Sequence, residues 1–366
     1  MKTKGDKSVY LLSLLASIGL SLLIGGLLMA VSGHNPFTGY EAMLKGVFGN
    51  ERVLGNTAAK AMQLCLTGLA MTVAAKAGMF NVGGEGQLYL GAMAAAVTGI
   101  FLTGAAKPAA VLLSAAAAAA AGGVCALAPA WLRVRLGISE VITTIMLNSA
   151  VIYFCKWLVN GPVRTDEPGV LSGSPNVYAC QFAKLIRASN LTTAFLYGAA
   201  IAVLVWYVLE KTTVGLELRL TGENQRFAFF IGLPKDRLMI WSMVISGAIC
   251  GLVGMFEVYG VHGRYVENIS SGFYFDGMLL AMIMNYSPAG VILASFFFAV
   301  LKTGAPAMEL ATGVSAEISQ IIFSVIIFLM AAQSGMAGGL QRRHGNRIRE
   351  KTAGKEIDDG TIHADF

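Results

Sequence analysis

The amino-acid sequence predicts an all-α, polytopic membrane protein with about ten transmembrane helices. Three observations predict it. Of 366 residues, 55% are hydrophobic and only 13% are charged, against about a quarter charged in a typical soluble domain. Apolar runs long enough to cross about 30 Å of hydrocarbon recur along the chain. The basic residues gather in the loops and tails between these runs, which is the footprint of membrane orientation rather than of nucleic-acid binding.

The first run, 9–31, is too long for the apolar region of a signal peptide, and no small-residue cleavage site follows it convincingly, so it reads as a retained span. Further spans follow at 56–77, 85–104, 108–132, 140–159, 191–209 and 239–260. Residues 277–303 contain the turn NYSPAG at 285–290, where Pro288 removes a backbone donor. They split there into two shorter segments, of which 277–286 is too short to cross unaided. A last span covers 317–334. The domain organisation is therefore a tail 1–8, a membrane domain 9–334 and a tail 335–366, the last carrying RRHGNRIREK near anionic lipid.

Most of the 27 lysines and arginines fall in the two tails, at Lys76, at Arg133 and Arg135, and in the loop 210–238. That bias places both termini and this loop in the cytoplasm, and residues 160–190 outside. The second, third and fourth spans are rich in small residues, with alanines at 115–121 followed by Gly122 and Gly123. In lipid, helices associate by close backbone packing, so such faces indicate a tight bundle. The five cysteines lack metal-ligand spacing, and four lie in apolar runs as small fillers.

Catalytic signatures are missing. There is no HExxH, no GxSxG and no GxxxxGK[ST], so neither catalysis nor a bound cofactor or metal is expected on this chain. Two transport classes remain. A proton-coupled secondary transporter needs carboxylates near the midplane, whereas Glu85, Glu140, Glu257 and Asp276 fall at or near predicted span ends. A permease driven by a separate motor needs a cytoplasmic docking element, and LRLTGENQRFAFFIGLPKDRL (218–238) offers one. Thr221 can cap a short helix with Glu223 and Asn224 in its first turn. Phe227, Phe230 and Ile231 then share one face, and Gly232 with Pro234 ends the helix.

One apolar stretch, MFNVGGEGQLYLG (79–91), carries polar residues that a span should avoid, since a buried carboxylate costs at least a few kcal/mol in lipid. Glycines 83, 84 and 86 are expected to break the helix where Asn81, Glu85 and Gln87 occur. Unwound backbone is tolerated in a membrane where protein or a water-filled cavity satisfies it. Asn148, two turns into the fifth span, likewise needs a partner. Asn81, Glu85, Gln87 and Asn148 are thus candidates for a solute pathway, or for a hydrogen-bonded lock between spans.

These stretches carry a resemblance. The loop at 218–238 resembles the coupling region G-x-N-P-x-A-A-R-Y-A-G-I of ABC importer permeases for ribose, branched-chain amino acids and nucleosides. Gly222, Asn224, Ala228 and Gly232 match, while Gln225, Phe227 and Phe229 depart from it. FNVGGEGQLYLGA (80–92) is similar to F-N-I-G-x-E-G-Q-x-x-x-G-A of the nucleoside and simple-sugar branch, and EVITTIMLN (140–148) to its E-V-I-x-T-I-M-L-N. Where that branch has A-L-L-G-G-x-x-P-x-G, AMIMNYSPAG (281–290) keeps Pro288 and Gly290 but not the glycine pair. The resemblance covers roughly residues 10–335 and implies a type II ABC importer-like permease bundle in a prokaryotic cell membrane. It implies a second permease subunit, a cytoplasmic ATPase carrying the ATP, and an extracytoplasmic binding protein. It also implies coupling through Gly222, Glu223, Asn224, Phe227, Ala228, Phe230 and Gly232, and import of nucleosides, or alternatively of monosaccharides or branched-chain amino acids.

Overall fold

A computed structural model of the chain describes residues 19–313 except 21, 168, 169, 171, 178 and 179, together with residue 325. Two compact units divide the chain, one formed by Tyr40–Ala311, the other by Met1–Gly39 with Thr312–Phe366. In the second unit, α1 (Leu22–Val31) covers the latter part of the expected first span. The expected span 317–334 and the tails 1–8 and 335–366 lie outside the described residues, apart from residue 325.

The larger unit is helical, and among the described residues it holds only two isolated β-bridges, Gly173 with Val266 and Lys184 with Thr192. Helix α2 (Pro36–Phe48), which begins just before this unit, was not expected from the sequence. Then come α3 (Glu51–Lys76), α4 (Gly84–Phe101), α5 (Lys107–Leu136), α6 (Glu140–Asn160) and α7 (Ala194–Lys211). Two short helices follow, α8 (Thr213–Glu223) and α9 (Gln225–Phe230), before α10 (Lys235–Phe256), which continues as a π-helical turn at Glu257–His262. The unit closes with α11 (Phe273–Ile283) and α12 (Pro288–Thr312). Six of the described helices are long and apolar enough to cross a membrane. The expected boundaries agree with the observed ones to within a few residues for α4, α6 and α7. The turn at 285–290 falls between α11 and α12, with Asn285 and Tyr286 at positive φ and Pro288 opening α12, where its missing N–H costs nothing.

Helix α10 is the hub, packing on α3, α4 and α5. The small residues make that possible. Gly247 and Gly251 of α10 lie on Gly122 and Ala118 of α5, and Gly254 lies on the Leu88 carbonyl and Ala92 of α4. A Cβ at Gly251 would run into the Ala118 carbonyl oxygen, so here glycine is required by close approach rather than by flexibility.

The unit has two ends. At one end Ala74 and Met79 pack with Ala130, Met239 and Met243. At the other, described residues between α6 and α7 fold against residues 259–267, with Ser174 N–H donating to Tyr265 O (2.9 Å), Val177 N–H to Gly263 O (2.9 Å) and Phe182 N–H to Tyr259 O (3.0 Å). There Glu267 pairs with Lys156 at 2.5 Å and also accepts from Ser172 Oγ (2.9 Å) and Asn160 Nδ2 (3.3 Å). The Lys156 hydrogen bond, followed by those from Ser172 and Asn160, holds the Glu267 carboxyl below its usual range.

Residues 263–272 do not stay at this second end. They run into the bundle, so that Ser270 O accepts from Tyr89 Oη at 3.0 Å and Phe273 O accepts from Thr67 Oγ1 at 3.2 Å. Helix α11 therefore starts inside the bundle. Its 11 residues span about 16 Å, roughly half of the hydrocarbon thickness.

Candidate functional site

The polar stretch around residue 85 does not break a helix. It is the buried start of one. Helix α3 ends at Lys76, residues 77–83 form a linker, and α4 begins at Gly84 with Gly83 as its N-cap. The first N–H groups of a helix have no partner within it, and here the polar side chains supply acceptors. Asn81 Oδ1 accepts from Gly83 N–H at 3.1 Å, and Asn148 Oδ1, reaching across from α6, accepts from Gly86 N–H. Asn81 and Gln87 exchange two amide bonds, at 2.8 and 3.1 Å, and Asn81 Nδ2 also donates to Ser246 Oγ of α10 at 3.0 Å.

Glu85 serves the other buried helix start. Its Oε2 accepts from Tyr274 N–H in the first turn of α11 at 3.1 Å. A carboxylate at a helix N-terminus gains up to about 2 kcal/mol in a partly buried setting, which offsets part of its desolvation. The four candidates are thus brought together and each has a protein partner. Asn81, Glu85 and Gln87 are at most 4% exposed and Asn148 is 9% exposed. The glycines have a packing reason. A Cβ at Gly84 would enter the Tyr274 ring, and one at Gly86 would meet the Asn148 backbone at 3.0 Å. Asn148→Leu is expected to leave the Gly86 N–H without an acceptor, a loss of about 1–3 kcal/mol. A thermal melt of the solubilised protein should register it as a lower midpoint.

The loop at 218–238 starts its aromatic helix differently from the expected form, with Glu223 ending α8 and Asn224 as the cap of α9 rather than either lying in its first turn. Thr221 does not cap a helix. It lies inside α8, buried, with its hydroxyl donating to Glu217 O at 2.8 Å, because α8 starts earlier, capped by Thr212. The break falls at Asn224, whose extended backbone ends α8 and whose Oδ1 accepts from Arg226 N–H (3.1 Å) and Phe227 N–H (3.0 Å) to start α9. The other motif positions gain physical reasons. Gly222 lies against the Lys76 carbonyl and Gly78 N, leaving no room for a side chain. Ala228 is fully buried, and Gly232 has a φ of 80°. Phe227, Phe229, Phe230 and Ile231 are exposed, Phe230 at 83%, and Glu223 is exposed beside them. The contact of Gly222 with Gly78 joins α8 directly to the linker that carries Asn81.

Sequence reasoning missed a second polar cluster. At the end opposite α8, a cavity of about 290 Å³ is lined by α3, the π-helical turn, residues 268–273 and Thr303 of α12. Its signal in the sequence was weak, since Gln63, Glu257 and Thr303 lie in separate, largely apolar runs.

Among the described residues, an all-helical bundle with six helices long and apolar enough to cross a membrane marks a polytopic membrane protein. Residues 53–331 match the family described as branched-chain amino acid transport system / permease component, and the chain belongs to it. It is an ABC transporter permease subunit, the membrane component, with ATP hydrolysis on a separate subunit. It is 32% identical over 329 residues to the guanosine ABC transporter permease protein NupP of Bacillus subtilis, covering 88% of this chain and 93% of that one. It is 30% identical over 339 residues to the nucleoside ABC transporter permease protein NupB of Lactococcus lactis, covering 90% and 92%. The glucose ABC transporter permease protein TsgB13 of Haloferax volcanii is 30% identical over 326 residues, covering 86% and 85%. No solved structure matches the chain significantly.

Proposed function

We propose that this permease imports nucleosides. The observation that carries the reading is the similarity, over nearly the full chain, to the two permeases named for guanosine and for nucleosides. The glucose permease at 30% identity favours a second reading, a monosaccharide. Labelled guanosine uptake by cells expressing the complete transporter is expected to be competed by unlabelled ribonucleosides and not by glucose or leucine. Competition by glucose alone would favour the second reading.

The working cycle follows from the ends of the bundle. A cytoplasmic ATPase takes α9 into a cleft through Phe227 and Phe230, with Gly222, Glu223, Asn224, Ala228 and Gly232 shaping the helix pair that presents them. Closure of the ATPase moves α8–α9, and the Gly222–Gly78 contact passes that movement to the linker and α4. The hydrogen bonds of Asn81, Glu85, Gln87 and Asn148 to one another and to helix starts support a role as a lock that keeps α4, α6, α10 and α11 moving together. A second permease chain completes the pathway, and a binding protein delivers solute at the opposite end. ATP and the loaded binding protein need only favour different pore states.

This orientation puts both termini and α8–α9 in the cytoplasm of a prokaryotic cell. All five native cysteines are buried and unpaired, so labelling of an introduced cysteine has a low background. Asp166→Cys is expected to react with an impermeant thiol reagent in intact cells, and Glu223→Cys to be protected until the membrane is opened. The reverse pattern would invert the orientation and remove the docking assignment.

A further inference from the structure

The geometry points to the cavity at the end opposite α8 as a solute chamber that reads the hydroxyl groups of a sugar ring. This rests on the nucleoside reading and deepens it. Three walls of the chamber each present a buried polar atom with no hydrogen-bond partner among the described residues, namely Gln63 Oε1, Glu257 Oε1 and Thr303 Oγ1. Native proteins rarely leave such atoms unsatisfied. Glu257 is 2% exposed, its other oxygen lies 3.6 Å from His262 Nε2, and the pair closes one wall. Gln63 sits halfway along α3, so the chamber reaches the middle of the bundle, where transporter sites are commonly found.

The backbone around the chamber is irregular in the way such sites require. Glu257 opens a π-helical turn, a form often found at functional sites. Asn268 belongs to the non-helical segment that descends into the bundle, and such backbone is tolerated at membrane depth where it lines a cavity. About 290 Å³ is close to the lower edge of small-molecule sites, about 300 Å³. Lys60 on the same lining donates hydrogen bonds, the free oxygens of Gln63 and of the Glu257 carboxyl group accept them, and the Thr303 hydroxyl does both. Together they suit a ligand rich in hydroxyl groups, each both donor and acceptor, such as a vicinal diol. That chemistry is shared by nucleosides and hexoses and takes no account of the base.

The test uses the complete transporter in proteoliposomes, with the binding protein saturated by each solute so that capture does not limit. Wild type is expected to carry guanosine and uridine at similar maximal rates, and 2′,3′-dideoxyguanosine roughly tenfold or more slowly, as loss of hydrogen bonds to buried polar groups implies. Glu257→Gln, in a complex that assembles normally, is expected to reduce that preference by roughly tenfold, mainly by slowing the ribonucleosides. An unchanged ratio in the assembled variant overturns the proposal. Should Glu257→Gln fail to assemble, Thr303→Val on a less buried wall decides by the same ratio, a smaller preference supporting the chamber and an unchanged one overturning it. A wild-type transporter that carries no nucleoside at all would instead overturn the substrate reading.

Discussion

Replacing both Phe227 and Phe230 by alanine is expected to detach the ATPase while leaving the membrane bundle folded. Both rings are exposed in the isolated chain, at 49% and 83%, so burial in a partner is gained only on docking. Each ring gains about 1.5–3 kcal/mol when fully buried. Together they account for roughly two to four decades of affinity, less if Glu223 or Arg226 adds contacts at the rim. Ala228, the buried residue of α9, stays in place, and so does the Asn224 cap. ATPase copurification and uptake should therefore fall together, with the thermal midpoint of the permease unchanged. If α9 merely lies on the lipid surface, copurification and uptake stay near normal, and the docking assignment falls.

The second large effect concerns Glu85. Glu85→Leu is expected to destabilise the permease by several kcal/mol. The Tyr274 N–H would lose its acceptor inside the bundle. Each buried donor left unpaired costs about 1–3 kcal/mol, and the N-terminus of α11 would also lose its counter-charge. Glu85→Gln retains an acceptor and is expected to lose much less. Size-exclusion profiles across a temperature series would separate the two variants. Equal melting of Glu85→Leu and wild type would contradict the capping role.

Six membrane-crossing helices were legible because length and hydropathy alone define a membrane helix, and the boundaries of α4, α6 and α7 landed within a few residues. Pro288 and the polar turn before it located the α11–α12 junction for the same reason that proline opens helices elsewhere. Helix α2 escaped notice, since its 13 residues include Glu41 and Lys45 and are neither long nor apolar enough to resemble a span. Within the loop at 218–238, exposure of Phe227 and Phe230 was readable from spacing. The cap was not, because Thr221 and Asn224 are both good cap residues and only tertiary packing extended α8 past the first of them.

The glycines of the 79–91 stretch were visible, but their purpose was not. Glycine suits both a broken helix and a close approach, and the choice depended on Tyr274 and Asn148, far along the chain. The chamber at Gln63, Glu257 and Thr303 was the least legible feature. Its three polar groups come from three helices, and no local pattern ties them together.

The claim that this chain is the membrane part of an ATP-driven importer is tested most directly by reconstitution. The permease, its ATPase and its second permease subunit would be placed in proteoliposomes without an ion gradient, with the binding protein and labelled guanosine outside the ATPase-free face. ATP supplied to the ATPase face is expected to drive guanosine accumulation that a proton uncoupler does not reduce and that a non-hydrolysable ATP analogue does not support. Accumulation that requires a proton gradient and proceeds without ATP would contradict the account.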